Sequence, residues 1–213
     1  MLLGECYNDK NVMCVLNEGA EDMTGYNRLI REASLADAET ILDIYKKYVE
    51  ETSISFETQV PSVAEFRNRM NNIMNQFPYL VCEMDGKVVG YAYASKHRER
   101  AAYQWSADLS IYIEETYHRQ HIATMLYDKL IDLLKIQGYY TAFAGVTSPN
   151  PNSEAFHEAY GFETVGVFHN VGYKLGQWRD VKWYSLQLTD YRELPTAPRS
   201  ISDITDEDKE ITP

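Results

Sequence analysis

Residues 104–127, QWSADLSIYIEETYHRQHIATMLY, limit what this chain can become more than any other stretch. Trp105, Ala107, Leu109, Ile111 and Ile113 alternate with Ser106, Asp108, Ser110, Tyr112 and Glu114, the period-two pattern of a strand. Polar EETYHRQ follows. Then Ile122, Met125, Leu126, Leu130, Leu133 and Leu134 recur at helical spacing as far as Gly138, a residue suited to a helix C-cap. A strand that feeds directly into a helix leaves the first N–H groups of that helix without intrahelical partners. Together with the helix dipole they favour a bound anion such as a phosphate. Asp108 sits among the apolar and hydroxyl residues of the same strand. A phosphate cradle beside a candidate base points to transfer chemistry on a phosphate-bearing ligand.

The flanking segments predict how this unit is framed. Residues 1–27 carry no sustained period and read as an N-terminal extension, with one short strand expected at 12–16. A strand signal at 28–31 opens the domain, which is expected to span 28–189. Ser34 with Asp37, and Ser62 with Glu65, have the spacing of capping boxes. Each precedes an amphipathic helix: Ile41, Ile44, Tyr45, Tyr48 and Val49 in the first, Phe66, Met70, Ile73 and Met74 in the second. Two apolar strands at 79–84 and 87–97 flank Asp85-Gly86, a strong hairpin signal. Beyond Gly138 come a strand at 140–146, a turn cluster SPNPNS, a short helix at 154–160 and strands at 162–169 and 181–188. The last two are expected to be joined by a Gly-rich link, 172–178. The order β-α-α-β-β-β-α-β-α-β-β predicts an α/β or α+β fold with a mixed sheet of about seven strands. Residues 190–213, with Pro195, Pro198 and an acidic run, read as a flexible tail.

Composition narrows the partners. A net charge of −12 argues against nucleic acid, whose phosphates need a concentrated basic surface. No apolar run is long enough to span a membrane, and the first residues lack a basic stretch ahead of a long apolar one. Three cysteines without metal-ligand spacing predict a reduced, cytoplasmic setting and no metal site.

The order of elements resembles the GNAT superfamily of N-acetyltransferases. The words FET, VVGYAYAS, RERAAYQW, LSIYI, LYDKL, SPNPNS, FHEAYGF, VGVF and VGYKLGQWRDVKWY resemble its phosphinothricin acetyltransferase family. They lie in order across roughly residues 28–188. The resemblance implies acetyl-coenzyme A as co-substrate and, as acceptor, the amino group of a small amino-acid-like compound such as phosphinothricin or methionine sulfoximine or sulfone. It implies a homodimer.

The resemblance also assigns residues. His118, Arg119, Gln120, His121, Ile122 and Ala123 fall on the pyrophosphate loop, with Thr124 next to it. His118 replaces the usual Gln or Arg, and His121 replaces a glycine. That second departure matters because glycine takes backbone conformations that a β-carbon disfavours. Asp108 aligns with the acid, usually Glu, that serves as general base on the amine. His157 stands where a proton donor for the leaving thiolate is found. Asn150 and the backbone of Ile111, Tyr112 and Ile113 are implied contacts of the pantetheine arm, the strand also polarising the acetyl carbonyl. Arg98 and Arg100 are suited to a carboxylate or phosphinate, with Phe56, Glu57, Tyr103 and Trp105 lining the acceptor pocket. Tyr173, Lys174 and Trp178 read as pocket edge or subunit interface, or equally as fold packing. Cys82, inside an apolar strand, is not placed as a nucleophile, so direct transfer is expected. Two other readings stay open: a weak or inactive relative that binds a ligand or partner, and an acetyltransferase acting on peptides.

Overall fold

The computed structural model describes residues 27–210. Its strands are β1 (Arg28–Glu32), β2 (Tyr79–Met84), β3 (Lys87–Lys96), β4 (Ser106–Ile113), β5 (Thr141–Ser148), β6 (Glu163–Lys174) and β7 (Gln177–Gln187). They form one mixed seven-stranded sheet in the order β1-β2-β3-β4-β5-β7-β6. The helices are α1 (Ala38–Glu50), α2 (Val63–Met74), α3 (Ile122–Gln137), α4 (Pro151–Tyr160) and a short α5 (Asp206–Glu210). The strand expected at 12–16 lies outside the described residues. No helix among the described residues is long and apolar enough to cross a membrane.

Side-chain alternation along the strands gives the sheet two apolar faces. On one, Leu126, Leu130 and Leu134 of α3 pack with Leu80, Cys82, Ala92, Ala107, Leu109, Ala142 and Ala144. On the other, α1 and α2 cover Tyr79, Val81 and Tyr91 with Ile41, Tyr45, Val49, Phe66 and Met70. Much of the abundant tyrosine is spent there. Tyr79 stacks on Tyr93 with centroids 4.9 Å apart, Tyr91 on Tyr112 at 5.3 Å, and Tyr45 meets Tyr112 edge-on at 5.1 Å. Such pairs add roughly 0.5–1.5 kcal/mol each beyond the area they bury.

Two hairpins turn through paired left-handed residues: Asp85 (φ 51°) with Gly86 (φ 81°), and Leu175 (φ 49°) with Gly176 (φ 76°). The second corrects the sequence reading. Residues 172–178 are not a link between shorter strands but the closed end of a long β6–β7 hairpin. Most of β6 is exposed, so no buried face imposes alternation on it. The hairpin end reaches the loop after α1. Lys174, itself buried, donates through Nζ to Ser55 O (2.5 Å) and Tyr48 O (3.4 Å). Phe56 lies so close over Gly172 that a Cβ there would sit 2.3 Å from its Cε2.

The run read as a flexible tail is laid along the body as far as it is described. Trp105 Nε1 donates to Thr196 O (2.7 Å), Arg199 N to Gln137 O (2.8 Å) and Ile201 N to Gln76 O (3.1 Å). The buried Gln137 amide donates to both Gln76 O and Arg199 O at 2.8 Å. Ile204 is buried, and Lys209 pairs with Glu32 at 2.9 Å. Acidic composition hid these anchors, which are mostly backbone carbonyls.

At the centre of the sheet β4 and β5 run parallel and pair only at Ser106↔Thr141, Ala107↔Ala142 and Asp108↔Phe143. Each then continues, β4 to Ile113 and β5 to Ser148, with no further register between them. The sheet splits, and the wedge opens at Asp108.

Candidate active site

The wedge is lined by Leu109, Ser110, Ile111 and Tyr112 of β4 and by Ala144, Gly145, Val146 and Thr147 of β5. Asn150, Ser153, His157, Tyr127 and Ile54 close it around a volume of ≈ 70 Å³. Ile54 also borders a larger cleft of ≈ 520 Å³ whose walls include Lys47, Tyr48, Lys87, Glu114, His118 and Asn152.

Strand parity decides which backbone groups face the gap, because alternate residues of a strand point their N–H and C=O to the same side. Ile113 O accepts from Tyr48 Oη and lies 3.0 Å from His118 Nε2, while Glu114 N donates across to Val89 O of β3. Residues of the same parity as Ile113, namely Ile111 and Leu109, therefore turn their backbone toward β5. Tyr112 turns its own toward β3. Of the three residues expected to offer backbone to a ligand, Ile111 turns its backbone to the gap, Ile113 has its carbonyl capped, and Tyr112 contributes its ring to the core instead.

The loop into α3 is held from both sides. Arg28 Nη1 donates to Gln120 O (3.2 Å), and the His118 ring is drawn back to Ile113 O and to Tyr48 Oη (3.3 Å). Arg119 (φ 62°) and His121 (φ 61°) are both left-handed, a conformation that costs residues bearing a Cβ. His121 is the N-cap of α3 and accepts the amide of Met125 on its carbonyl. Ile122 is buried below it as the anchor of the helix. The amides of Ile122, Ala123 and Thr124 in the first turn have no intrahelical acceptor, and α3 has sixteen residues of aligned dipole behind them. Backbone N–H groups in that arrangement suit a phosphate.

Asp108 stands on the last rung that β4 and β5 share. Its Oδ1 lies 2.6 Å from Nδ1 of His97, a residue the sequence reading placed at the end of the strand 87–97 and gave no role. Burial raises the Asp108 pKa, while His97 and the nearby Arg98 charge oppose that rise. Arg98 is exposed, with its guanidinium 5.7 Å from the Trp183 ring. Arg100 and Tyr103 are exposed in the same connection. Glu57 is paired with Arg69 at 2.6 Å, and the Trp105 indole is committed to Thr196. Phe56 lies against the β6–β7 hairpin.

His157 is buried on α4 at the other wall. Its Nδ1 lies 2.7 Å from Ser153 O, which can only accept, so Nδ1 carries the proton and Nε2 accepts from Tyr127 Oη at 3.1 Å. Burial lowers its pKa, with the Ser153 bond acting in the opposite sense. The side chain is a neutral imidazole with both nitrogens occupied. Tyr127, read from sequence only as part of the α3 helix, is its partner. Asn150 caps α4, its Oδ1 accepting from Ser153 N (3.3 Å), which leaves its amide N–H groups for the wedge. Cys82 is buried in the core, and burial pushes its thiol up to about 11. Among the described residues no group of three or more His, Cys, Asp or Glu is arranged to hold a metal ion.

The model of the acetyltransferase (GNAT) domain family matches residues 30–183. A phosphinothricin N-acetyltransferase of Streptomyces viridochromogenes is 31% identical over 83% of this chain and 94% of its own. An L-methionine sulfoximine/L-methionine sulfone acetyltransferase of Pseudomonas aeruginosa is 29% identical, over 78% of this chain and 98% of its own. The crystal structure of a phosphinothricin acetyltransferase from Sinorhizobium meliloti in complex with AcCoA superposes with a TM-score of 0.74. It is 32% identical and covers 79% of this chain and 95% of that one.

His121→Gly is expected to relieve the left-handed strain by about 1 kcal/mol. In thermal unfolding the variant should melt roughly 2–4 °C above the wild type. An unchanged or lower Tm would mean that the loop holds His121 without strain.

Proposed function

The chain belongs to the GNAT acetyltransferase family, and from that premise we propose that it transfers acetyl from acetyl-coenzyme A to the amino group of a small amino-acid-like acceptor. The observation that carries this reading is the place of Asp108: an acid on the last shared rung of β4 and β5, where a backbone-lined wedge begins.

The residues present suit the co-substrate. The unpaired amides at the start of α3 suit a pyrophosphate, and the narrow wedge between Ile111 and Val146 suits an extended amide-bearing arm. Bound there, acetyl-coenzyme A supplies a thioester: as its C–S bond breaks and the amine's lone pair forms the C–N bond, the sulfur leaves with the electron pair. Asp108 takes the proton that an ammonium must lose before it can attack. The Ile111 N–H can donate to the carbonyl oxygen as negative charge grows on it. The proton for the departing sulfur is assigned to the thiol-side wall, where the Tyr127 hydroxyl and His157 meet. Because His157 is neutral, that assignment belongs to the pair rather than to an imidazolium.

For the acceptor, Arg98 supplies a cation beside Asp108, suited to the carboxylate or phosphinate of compounds like those named for the relatives. Tyr103 is the ring next to it, 5.9 Å from His97. Glu57, held by Arg69, shapes this side without offering a free charge.

A homodimer is the second part of the proposal. β6 is an edge strand, and Val165, Phe168, Val171, Tyr173, Leu175 and Trp178 on its hairpin are each at least half exposed. An apolar edge of this kind marks an interface. Light scattering should give twice the chain mass for the wild type and a smaller mass for Trp178→Asp. A wild type that stays monomeric at all concentrations would refute this part.

Activity is tested by thiol release with phosphinothricin and methionine sulfone. Asp108→Ala should lower kcat by about 100-fold or more, the usual worth of a general base, while acetyl-coenzyme A still raises the melting temperature. His157→Gln should lower kcat less. Equal rates for Asp108→Ala and wild type would remove Asp108 from the mechanism.

A further inference from the structure

Asp108 is one methylene shorter than the glutamate usual at its position, and it is not alone. His97 reaches it from the connection between β3 and β4, with Nδ1 2.6 Å from Oδ1. An ionised carboxylate can only accept, so Nδ1 carries the proton and donates it. The imidazole is fixed on several sides. It stacks on Phe143 with centroids 4.3 Å apart and planes at 15°, and it meets Tyr103 and Trp183 edge-on at 5.9 and 6.3 Å. Only 10% of its side chain is exposed. Phe143 is the residue paired with Asp108 on the last shared rung of the sheet, so one aromatic ring positions the histidine beside the acid.

The charges around the pair are few. Arg98 follows in the chain and donates to His97 O (2.8 Å), and Tyr103 brings a phenol. β5 and β7 present Phe143 and Trp183, which carry no charge. The rings packed against it, those of Phe143, Tyr103 and Trp183, carry no formal charge.

We propose that His97 is a positioning residue for the general base, holding Asp108 through Oδ1 so that Oδ2 is the oxygen that meets the acceptor amine. This rests on the acetyltransferase reading above. Among the described residues Oδ2 has no hydrogen-bond partner. A short carboxylate on a strand has few ways to reach a ligand, and one fixed oxygen leaves the other a defined direction. The proton passes from the ammonium nitrogen to Oδ2. The Nδ1–H bond stays in place throughout and favours the ionised carboxylate between turnovers.

The test uses the full chain in three forms. His97→Phe keeps a ring to stack on Phe143 but lacks the donor. His97→Asn places an amide N–H near the position of Nδ1. For His97→Phe the expected result is a kcat lower by 10- to 100-fold with unchanged affinity for acetyl-coenzyme A. The acid limb of its pH–rate profile should move to higher pH, because the bond favouring the charged carboxylate is gone. His97→Asn should recover most of the loss and return the limb toward its wild-type place. A His97→Phe enzyme with wild-type kcat and an unmoved acid limb would overturn the proposal, as would failure of His97→Asn to recover activity. A readout without turnover guards against a variant that does not fold. Wild-type protein should show a low-field imidazole Nδ1 proton resonance that is lost or displaced in Asp108→Ala, and its absence from the wild type would overturn the pairing. A wild type that neither binds acetyl-coenzyme A nor releases thiol overturns the acetyltransferase reading itself, and the base assignment with it. That outcome differs from the others because acetyl-coenzyme A binding fails before any variant is compared.

Discussion

The structure depends on a pairing that stops. β4 and β5 share three rungs, 106–108 with 141–143, and then part, while β4 keeps β3 from Ala107 to Ile113 and β5 keeps β7 along its full length. A parallel pair buried in the middle of a sheet would ordinarily continue, because unpaired backbone groups inside a protein are costly. Here they are left open on the side where a ligand arm can satisfy them. The sheet stays intact because β3–β4 and β5–β7 are long antiparallel ladders, and α3 covers the face behind them with Leu126, Leu130 and Leu134.

The groups around the split follow from that opening. Tyr48 and His118 cap Ile113 O at the far end of β4, so the open stretch is confined to Leu109 and Ile111. At the apex, the last rung carries Asp108 on one strand and, on the other, Phe143, which supports His97. On the α4 wall, burial lowers the pKa of His157. The two histidines thus differ through their surroundings: one lies beside a carboxylate, the other between a carbonyl and a phenol.

Much of this was legible in the sequence, and the omissions have physical reasons. The strand–turn–helix, the Asp85-Gly86 hairpin and the helices with their apolar stripes are local patterns, and all appear where their periods place them. The need for a glycine-like conformation at His121 was also readable, and the residue does adopt φ 61°. What stayed hidden is nonlocal. His97 reads as the last residue of the strand 87–97, and only pairing β3 with β4, Ser95 opposite Asp108, brings it to the acid. Tyr127 has the spacing of a core residue, and its hydroxyl partner arrives 30 positions later. The length of β6 was unreadable because an exposed edge strand need not alternate, and the docked tail because its ties are mostly backbone carbonyls.

The central claim is that the split between β4 and β5 receives acetyl-coenzyme A, with its pyrophosphate at the start of α3. The most direct measurement is a titration of isotope-labelled protein with acetyl-coenzyme A, following backbone amides by NMR. The account predicts saturable shifts concentrated at 109–113, 119–124 and 144–150. No shifts, or shifts confined to residues outside the wedge and the α3 N-terminus, would contradict it.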